Sequence, residues 1–359
     1  MEQGSPANEH RLAMTRLMGG QAALQSGVEV EVLDLEMARE GKSYTVDTLR
    51  ALRRQYPNDE LLLFMGTDMF FSFESWRAPE EIAELAKVVA FYRNADDTAA
   101  AFAAQAERLR ARFGGSFEAL ALDRVIEASS TALRAGMASG TSEAMLEPQV
   151  YGYILREHLY GTNLDLKRLT VQQLRPIALS YLKAKRCAHV LGTAATAVKL
   201  AEKYGADIEK AYLAGLVHDI CKEVPTDEQL AMAQKCRQGI DETEQKIPAL
   251  YHAAAGSWYG ENVLHIHDED ILNAVRYHTT GRAGMSRLEE CVYLADLISE
   301  DRTYKDVGRM RRLAFEDING AMLEAARFTL SDVIAKGSFI PENSMQTYNY
   351  YTALIKQDK

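Results

Sequence analysis

Residues 210–223, KAYLAGLVHDICKE, decide how this chain is read. An apolar run at helical spacing ends in His218 and Asp219, with Lys222 just beyond. Adjacent helical residues point about 100° apart, so His218 and Asp219 can face one cleft only near a helix end. Working outward, the same residue types recur in order. His189 opens the periodic segment 189–204. His252 follows Tyr251 near a helix start. His278 ends ILNAVRYH (271–278), and Asp296 sits inside CVYLADLI (291–298) on an otherwise apolar face. An aspartate on such a face is costly to bury unpaired, and a cation is the simplest partner. Imidazole and carboxylate donors suit Fe, Mn, Zn or Co rather than Ca or Mg alone. With Asp219 able to bridge two ions, such a centre can activate a water and clamp phosphoryl oxygens. A single His-Asp dipeptide is usually incidental, and a lone buried histidine is usually a satisfied core residue. The ordered series His, His-Asp, His, His, Asp, with helices between its members, is what argues for metal. His265 and His267 fall outside the series and read as solvent-exposed loop residues.

Segments of helical period surround this series: 176–184, 189–204, 208–221, 270–278, 287–299 and 310–336. Ser286 with Glu289 forms a capping box, and Gly205 stands where a helix C-terminus would place it. The expectation is an all-α domain over 171–359, preceded by a polar linker, TNLDLKRLT (162–170).

Residues 1–161 have a different texture. Strand signals at 28–36 (VEVEVLDLE), 61–66 (LLLFMG), 88–93 (VVAFYR) and 119–123 (ALALD) alternate with helical ones at 43–56 and 79–88, the latter with Pro79 in its first turn. Residues 95–115, rich in Ala and Arg, read as an exposed helical excursion. The alternation predicts a two-domain chain: an α/β, Rossmann-like unit with right-handed crossovers and then the helical domain.

Composition narrows the functional classes. A chain of 359 residues with 47% hydrophobic content can bury two cores. Its net charge of −10 argues against a broad nucleic-acid-binding face, while leaving room for a local cationic pocket. Cys187, Cys221, Cys236 and Cys291 lack CxxC spacing and read as reduced thiols of a cytoplasmic protein. No apolar run reaches the about 18 residues of a membrane span, and MEQGSPANEHR has no signal-peptide core. The expected partner is a small molecule, not nucleic acid or membrane; a homodimer stays open.

The C-terminal half resembles the bacterial HD-domain family of symmetrical diadenosine tetraphosphatases. The matching strings are RCAHVLGTAATAVKLAEKYG (186–205), KAYLAGLVHDICKE, YHAAAGSWY (251–259) and ILNAVRYHTTGRAGMSRLEECVYLADLISEDR (271–302). The resemblance implies two divalent ions, iron first with Mn, Co or Zn as alternatives, and hydrolysis of diadenosine tetraphosphate to two ADP. It implies metal ligands at His189, His218, Asp219, His252, His278 and Asp296. Asp219, Lys222 and Arg282 are then the candidate catalytic groups, and Thr279, Thr280, Gly281 and Arg302 the candidate substrate contacts. Gly281 and Gly284 would let backbone approach phosphate. Taken singly, Lys222, Arg282 and Arg302 are as readily solvated surface charges.

The N-terminal half resembles nicotinate-nucleotide adenylyltransferase of the α/β nucleotidyltransferases. The strings are GKSYTVDTLRAL (41–52), LLLFMGTDMFFSFESW (61–76), EIAELAKVVAFYR (81–93), EASSTALR (127–134) and LEPQVYGYILREHLYG (146–161). The resemblance places nucleotide contacts at Thr45, Asp68, Trp76, Ser129, Ser130, Thr131 and Arg134; a serine and threonine run at a helix start with an arginine one turn on suits an anion. Singly, Ser129, Ser130 and Thr131 read as helix caps and Trp76 as core. The sequence carries no G-x-F-D-P-x-H-x-G-H segment, whose histidines stabilise the transferring phosphoryl group in that family, and lacking that family's first strand it should leave a gap or exposed sheet edge. A degenerate nucleotide-binding module and a truncated gene start are the two explanations.

Two alternatives to the tetraphosphatase remain at this stage: an HD-type nucleotidase of other specificity, and a non-catalytic nucleotide or metal sensor. For the N-terminal half, the 359-residue polypeptide should give little or no deamido-NAD from nicotinate mononucleotide and ATP; robust turnover in that assay would refute the expectation.

Overall fold

The computed structural model describes residues 6–39, 41–92, 97–121 and 130–357. Backbone contacts group Ala7–Leu12 with Glu31–Gly136 in one compact unit and Ala13–Val30 with Met137–Lys359 in another. The sequence expectation put its linker at 162–170. That segment instead holds a short 3-10 turn and ends on Thr170, which forms a capping box with Gln173.

The α/β unit follows α1 (Asn8–Ser26), a helix with no fully buried residue that contributes to both groups. Its elements are α2 (Thr45–Gln55), β1 (Leu62–Gly66), α3 (Thr67–Phe71), α4 (Pro79–Leu85), β2 (Lys87–Phe91), α5 (Ala99–Phe113), β3 (Phe117–Leu120) and α6 (Ser130–Met137). The strands form a parallel sheet in the order β1-β2-β3, with Phe64 opposite Val89 and Val89 opposite Glu118. Helices between successive strands are what parallel pairing requires. Val88, Ala90, Phe70, Phe102, Leu109 and Phe117 form the centre of the core, where the Phe70 and Phe102 rings stack with centroids 5.5 Å apart.

Three features differ from the sequence reading. Residues 28–36 form no strand: Val28, Val30 and Leu33 are exposed, because a Val-Glu alternation becomes a strand only when a neighbour completes its ladder. Residues 99–113 are no exposed excursion, since α5 buries Phe102, Ala106 and Leu109 along one face. The last strand lies at Phe117–Leu120, earlier than 119–123, of which 122 and 123 fall outside the described residues. Arg93 of the strand expected at 88–93 is also outside them. Leu62 and Phe64 of β1 are exposed.

The helical unit begins with α7 (Pro148–Arg156) and α8 (Val171–Leu179). α9 (Ala184–Tyr204), α10 (Ile208–Val217), α11 (Thr226–Ala233), α12 (Tyr251–Asn262), α13 (Glu269–Tyr277) and α14 (Arg287–Ile298) follow. The chain closes with α15 (Val307–Glu316), α16 (Ile318–Ala335) and α17 (Glu342–Gln357). No strand occurs here among the described residues. The expected signals act as read: Gly205 ends α9 in the left-handed region at φ 73°, and Ser286 and Glu289 complete the capping box of α14. The helix expected at 176–184 starts earlier, at the Thr170 cap, and the segment 310–336 breaks at Asp317, whose side chain caps α16 by accepting from Gly320 N.

What positions the site is the crossing of α9 and α10. A Cβ built on Gly215 would lie 2.6 Å from Ala194 Cα and 3.1 Å from Ala194 N, so the two backbones touch. Gly215→Ala should therefore destabilise the protein by about 1–3 kcal/mol, the usual cost of overpacking. Gly308, in α15, has nothing within 4 Å of its would-be Cβ; Gly308→Ala should instead gain about 0.5 kcal/mol from helix propensity. Urea unfolding of both variants reads the two signs; a stabilised Gly215→Ala would mean the helices are not in backbone contact.

Candidate metal centre

Five helices deliver six side chains to one place. His189 lies in the second turn of α9. His218 ends α10, with Asp219 directly after it. His252 is the second residue of α12, His278 ends α13, and Asp296 lies near the end of α14. The four imidazoles run as a chain of edge-to-face neighbours, with centroids 5.4 Å (His189–His218), 4.9 Å (His218–His278) and 5.2 Å (His252–His278) apart.

The hydrogen-bond network assigns their tautomers. His218 Nδ1 donates to Gly215 O at 2.6 Å and His278 Nδ1 to Val275 O at 2.7 Å. Both acceptors are last-turn carbonyls with no partner within their own helix, so each histidine caps the helix that carries it. His189 Nδ1 donates to Asp301 Oδ2 at 3.0 Å. In all three the Nε2 lone pair is left over and faces the cluster.

Those lone pairs meet acceptors. His189 Nε2 lies 3.0 Å from Asp296 Oδ1, His218 Nε2 3.7 Å from Asp219 Oδ2, and His278 Nε2 3.7 Å from Asp219 Oδ1. His252 Nε2 is 3.3 Å from Asp219 Oδ1 and 3.3 Å from His278 Nε2. The Nε2 atoms of His189 and His218 are buried with no hydrogen-bond partner. Buried acceptors turned towards one another are unfavourable unless something positive lies between them. The donor set fits a borderline divalent ion of the Fe, Mn, Co or Zn kind. Two overlapping groups could each hold one: His189, His218 and Asp219, and Asp219, His252 and His278, with Asp219 common to both.

Protonation suits the same purpose. Burial pushes His218 and His252 down to about 4, so both imidazoles are neutral near pH 7. Burial pushes the Asp219 carboxyl up, yet it is held well below the usual range, with His252 Nε2 placed to donate to it. At Asp296 burial likewise acts upward and is outweighed, with the Arg302 guanidinium among the groups that pull the carboxyl down. Neutral imidazoles and ionised carboxylates are the forms that bind metal.

A ring of cations borders the cluster. Arg186 Nη1 lies 3.1 Å from Asp219 Oδ2, and Arg302 Nη2 lies 2.5 Å from Asp296 Oδ1. Lys222 Nζ sits 3.1 Å from His252 Nε2, with its ammonium pushed below the ordinary lysine value by burial, against the pull of Asp219. Lys222 and Arg302 are thus brought to the cluster.

Other candidates are placed elsewhere. Arg282 closes its fork on the buried Glu289, with Nε to Oε2 at 2.7 Å and Nη2 to Oε1 at 2.5 Å. A nearly fully buried carboxylate needs a partner, and Arg282 is that partner rather than a free phosphate grip. Thr280 and Gly281 are buried beneath α17, where Thr347 donates to Thr280 O. A Cβ on Gly281 would strike Thr347, so its backbone is covered by protein. Thr279 Oγ1 is buried without a partner, and Gly284 is exposed. His267 is exposed as expected; His265 is half-buried beside it, with ring centroids 6.2 Å apart. Sequence reading missed Arg186 and Asp301.

In the α/β unit, Thr45 opens α2 and Asp68 is exposed in α3, just past the carboxyl end of β1, the end where open parallel sheets bind ligands. Trp76 is half-buried against Phe73, with centroids 5.5 Å apart, as a core residue would be. Ser130 and Thr131 are exposed in the first turn of α6, one turn before Arg134, while Ser129 lies outside the described residues.

Comparison with known proteins matches these halves to two kinds of relative. Residues 186–301 match the HD domain family, a span that includes all six clustered residues. The chain is similar to a symmetrical bis(5'-nucleosyl)-tetraphosphatase of Bacillus subtilis, 34% identical over 47% of this chain and 90% of that protein. It is also similar to a probable nicotinate-nucleotide adenylyltransferase of Prosthecochloris aestuarii, 34% identical over 45% of this chain and 77% of that one. A probable nicotinate-nucleotide adenylyltransferase/Ap4A hydrolase of Mycoplasma genitalium aligns at 23% identity across 90% of this chain and 83% of its own length.

Because Asp219 belongs to both donor groups, Asp219→Ala should empty both. After exchange into metal-containing buffer and desalting, elemental analysis should find metal on the wild type and only the level of a chelator-treated control on the variant. Equal retention would show that this carboxylate is not a shared ligand.

Proposed function

The chain belongs to the HD-domain symmetrical bis(5'-nucleosyl)-tetraphosphatases through its helical half and to the nicotinate-nucleotide adenylyltransferases through its α/β half, and on that footing we propose that the helical half hydrolyses diadenosine tetraphosphate to two ADP with divalent metal. The observation that carries this is the carboxylate of Asp219, buried and common to two sets of imidazole donors.

His189, His218, Asp219, His252, His278 and Asp296 would hold two ions, with iron the first expectation and Mn, Co or Zn the alternatives. When bound, such ions supply Lewis acidity and lower the proton affinity of water at the site. The chain's own residues do the rest. Neutral imidazoles offer Nε2, and the two carboxylates stay ionised. Arg186, Lys222 and Arg302 border the carboxylates and offer positive charge to a polyphosphate that carries several negative ones. These cations act locally, since the chain as a whole carries −10. Symmetrical cleavage adds water across the central P–O–P bridge: the water oxygen bonds to one phosphorus, the bridging oxygen leaves with the other, and each product is ADP. Arg282 acts at one remove in this reading, by holding Glu289 and the start of α14.

For the α/β half we propose a nucleotide-binding module, with Asp68, Ser130, Thr131 and Arg134 near its ligand and little adenylyltransferase turnover by the 359-residue polypeptide. Among the described residues no helix is long and apolar enough to cross a membrane. The proposed setting is the cytoplasm, the substrate a free nucleotide, and a homodimer is left open.

The test is product chromatography on metal-reconstituted protein given diadenosine tetraphosphate. ADP should be the sole nucleotide product, chelation should stop its release, and added metal should restore it. His218→Ala should slow turnover by at least about 100-fold, the scale of losing one group that stabilises developing charge. His265→Ala should stay near wild type. Release of AMP and ATP, or activity only on mononucleotides, would replace this reading with a nucleotidase or an unsymmetrical hydrolase. Metal-replete protein inert on the whole panel would make it a sensor.

A further inference from the structure

The loop between α14 and α15 grips two of the clustered side chains at once. Asp301 Oδ2 accepts from His189 Nδ1 at 3.0 Å, and its other oxygen accepts from Ser299 Oγ at 2.7 Å. Ser299 is fully buried. The next residue reaches the opposite way: Arg302 Nη2 donates to Asp296 Oδ1 at 2.5 Å, and its Nε to Asp296 O at 2.8 Å. The loop lies against α9 one turn from His189, where a Cβ on Gly192 would come within 3.7 Å of Asp301 Oδ1. Arg311 of α15 fastens it from below, donating to Ile298 O at 2.9 Å, Ser299 O at 2.7 Å, Arg302 O at 2.9 Å and Glu300 O at 3.3 Å.

The alternative arrangement shows what this grip accomplishes. A neutral imidazole carries its proton on one nitrogen or the other. His189 Nε2 stands 3.0 Å from Asp296 Oδ1. Were the proton on Nε2, His189 would donate to Asp296 and the pair would satisfy itself, leaving neither group open to a cation. Asp301 draws the proton to Nδ1, and Arg302 occupies the same Asp296 oxygen that Nε2–H would otherwise seek.

We propose that the loop Ser299–Arg302, fastened by Arg311, is a tautomer lock: Asp301 keeps His189 Nε2 bare and Arg302 keeps Asp296 from pairing with it, so that both remain open to a divalent ion. This rests on reading His189 and Asp296 as metal ligands. Asp301 and Arg302 are positioning residues here, acting through the groups they hold. Partners of this kind around a metal-binding histidine are worth about 10–100-fold in metal affinity.

The test uses the full chain with 15N-labelled histidine, free of metal, with His189 assigned by its loss in His189→Gln. Long-range proton–nitrogen spectra should show His189 protonated on Nδ1. In Asp301→Ala the proton should move to Nε2, and zinc affinity, read by competition with a chromophoric chelator, should fall by about 10–100-fold. Asp301→Asn keeps an acceptor oxygen and should restore both the tautomer and most of the affinity, which a merely structural role would not produce. Arg311→Met should weaken zinc binding in the same direction. Asp301 is exposed but ties off buried donors, so thermal melts of its variants check that they are folded at the temperature of the zinc titration. An Asp301→Ala protein that keeps Nδ1–H and wild-type zinc affinity would overturn the lock. Wild-type protein with the Nδ1–H tautomer that binds no zinc, manganese or iron would overturn the ligand reading, and the lock's purpose with it.

Discussion

Four imidazoles and two carboxylates close on one buried volume, three of the rings with the Nε2 lone pair turned inward, and protein atoms alone do not satisfy all of them. The Nε2 atoms of His189 and His218 are buried with no hydrogen-bond partner. A buried polar group left unpaired costs about 1–3 kcal/mol, and a buried charge more. The helical core must therefore supply enough stability to hold the cluster open, or a bound cation must convert the cost into affinity. Much of the unit serves that constraint. α10 and α13 each stop on a histidine whose Nδ1–H ties off the helix's own carbonyl. Gly215, whose carbonyl accepts the hydrogen bond from His218 Nδ1–H, is also where α10 touches α9. One residue thus sets the tautomer of His218 and the distance to the helix that carries His189.

The bordering cations complete the electrostatics. Asp219 and Asp296 are each paired with an arginine, Arg186 and Arg302, through the same oxygens that the imidazoles of His218 and His189 approach. Two carboxylates so close would repel if left alone, and one would be driven to hold a proton. The guanidiniums favour the ionised form of both. On the proposed function, a guanidinium that stabilises the site can become a substrate contact, exchanging part of its carboxylate partner for phosphate. Arg282 has no such freedom, because Glu289 is buried and engages both arms of its fork.

What the sequence disclosed, and what it hid, follows from whether a residue breaks a local pattern. Asp296 stands out because CVYLADLI is otherwise apolar, and His218 and His278 stand out because each ends an apolar helix. Arg186 sits beside Lys183 and Lys185 and looks like one more surface charge. Asp301 sits in the polar run SEDR and looks solvated. Both matter through partners more than 30 positions away, and local spacing does not encode those contacts. The same reason explains the misread segments. Val28, Val30 and Leu33 have the period of a strand but no ladder partner, a condition that non-local chain must meet. In α5 the Ala and Arg content concealed that Phe102, Ala106 and Leu109 share one face, which only the sheet beneath it reveals. The polar stretch after Gly161 looked like a linker because capping residues and linker residues have the same composition; Thr170 and Gln173 are caps.

The loop Ser299–Arg302 shows why the cluster depends on order along the chain as well as on its donors. Asp296 and Arg302 are six residues apart, so the cation that holds this carboxylate arrives as soon as α14 ends. Asp301, one residue earlier, faces the other way and reaches α9, 112 positions upstream. Neighbouring residues at a helix end can point to two sides only because the chain there is no longer helical, and Arg311 fixes that non-helical stretch through four of its carbonyls. A helical continuation of α14 through residue 302 would swing one of the two away. The end of α14 is in that sense part of the site, as the ends of α10 and α13 are: at each, the backbone's unsatisfied groups and the metal-facing side chains are organised by the same few bonds.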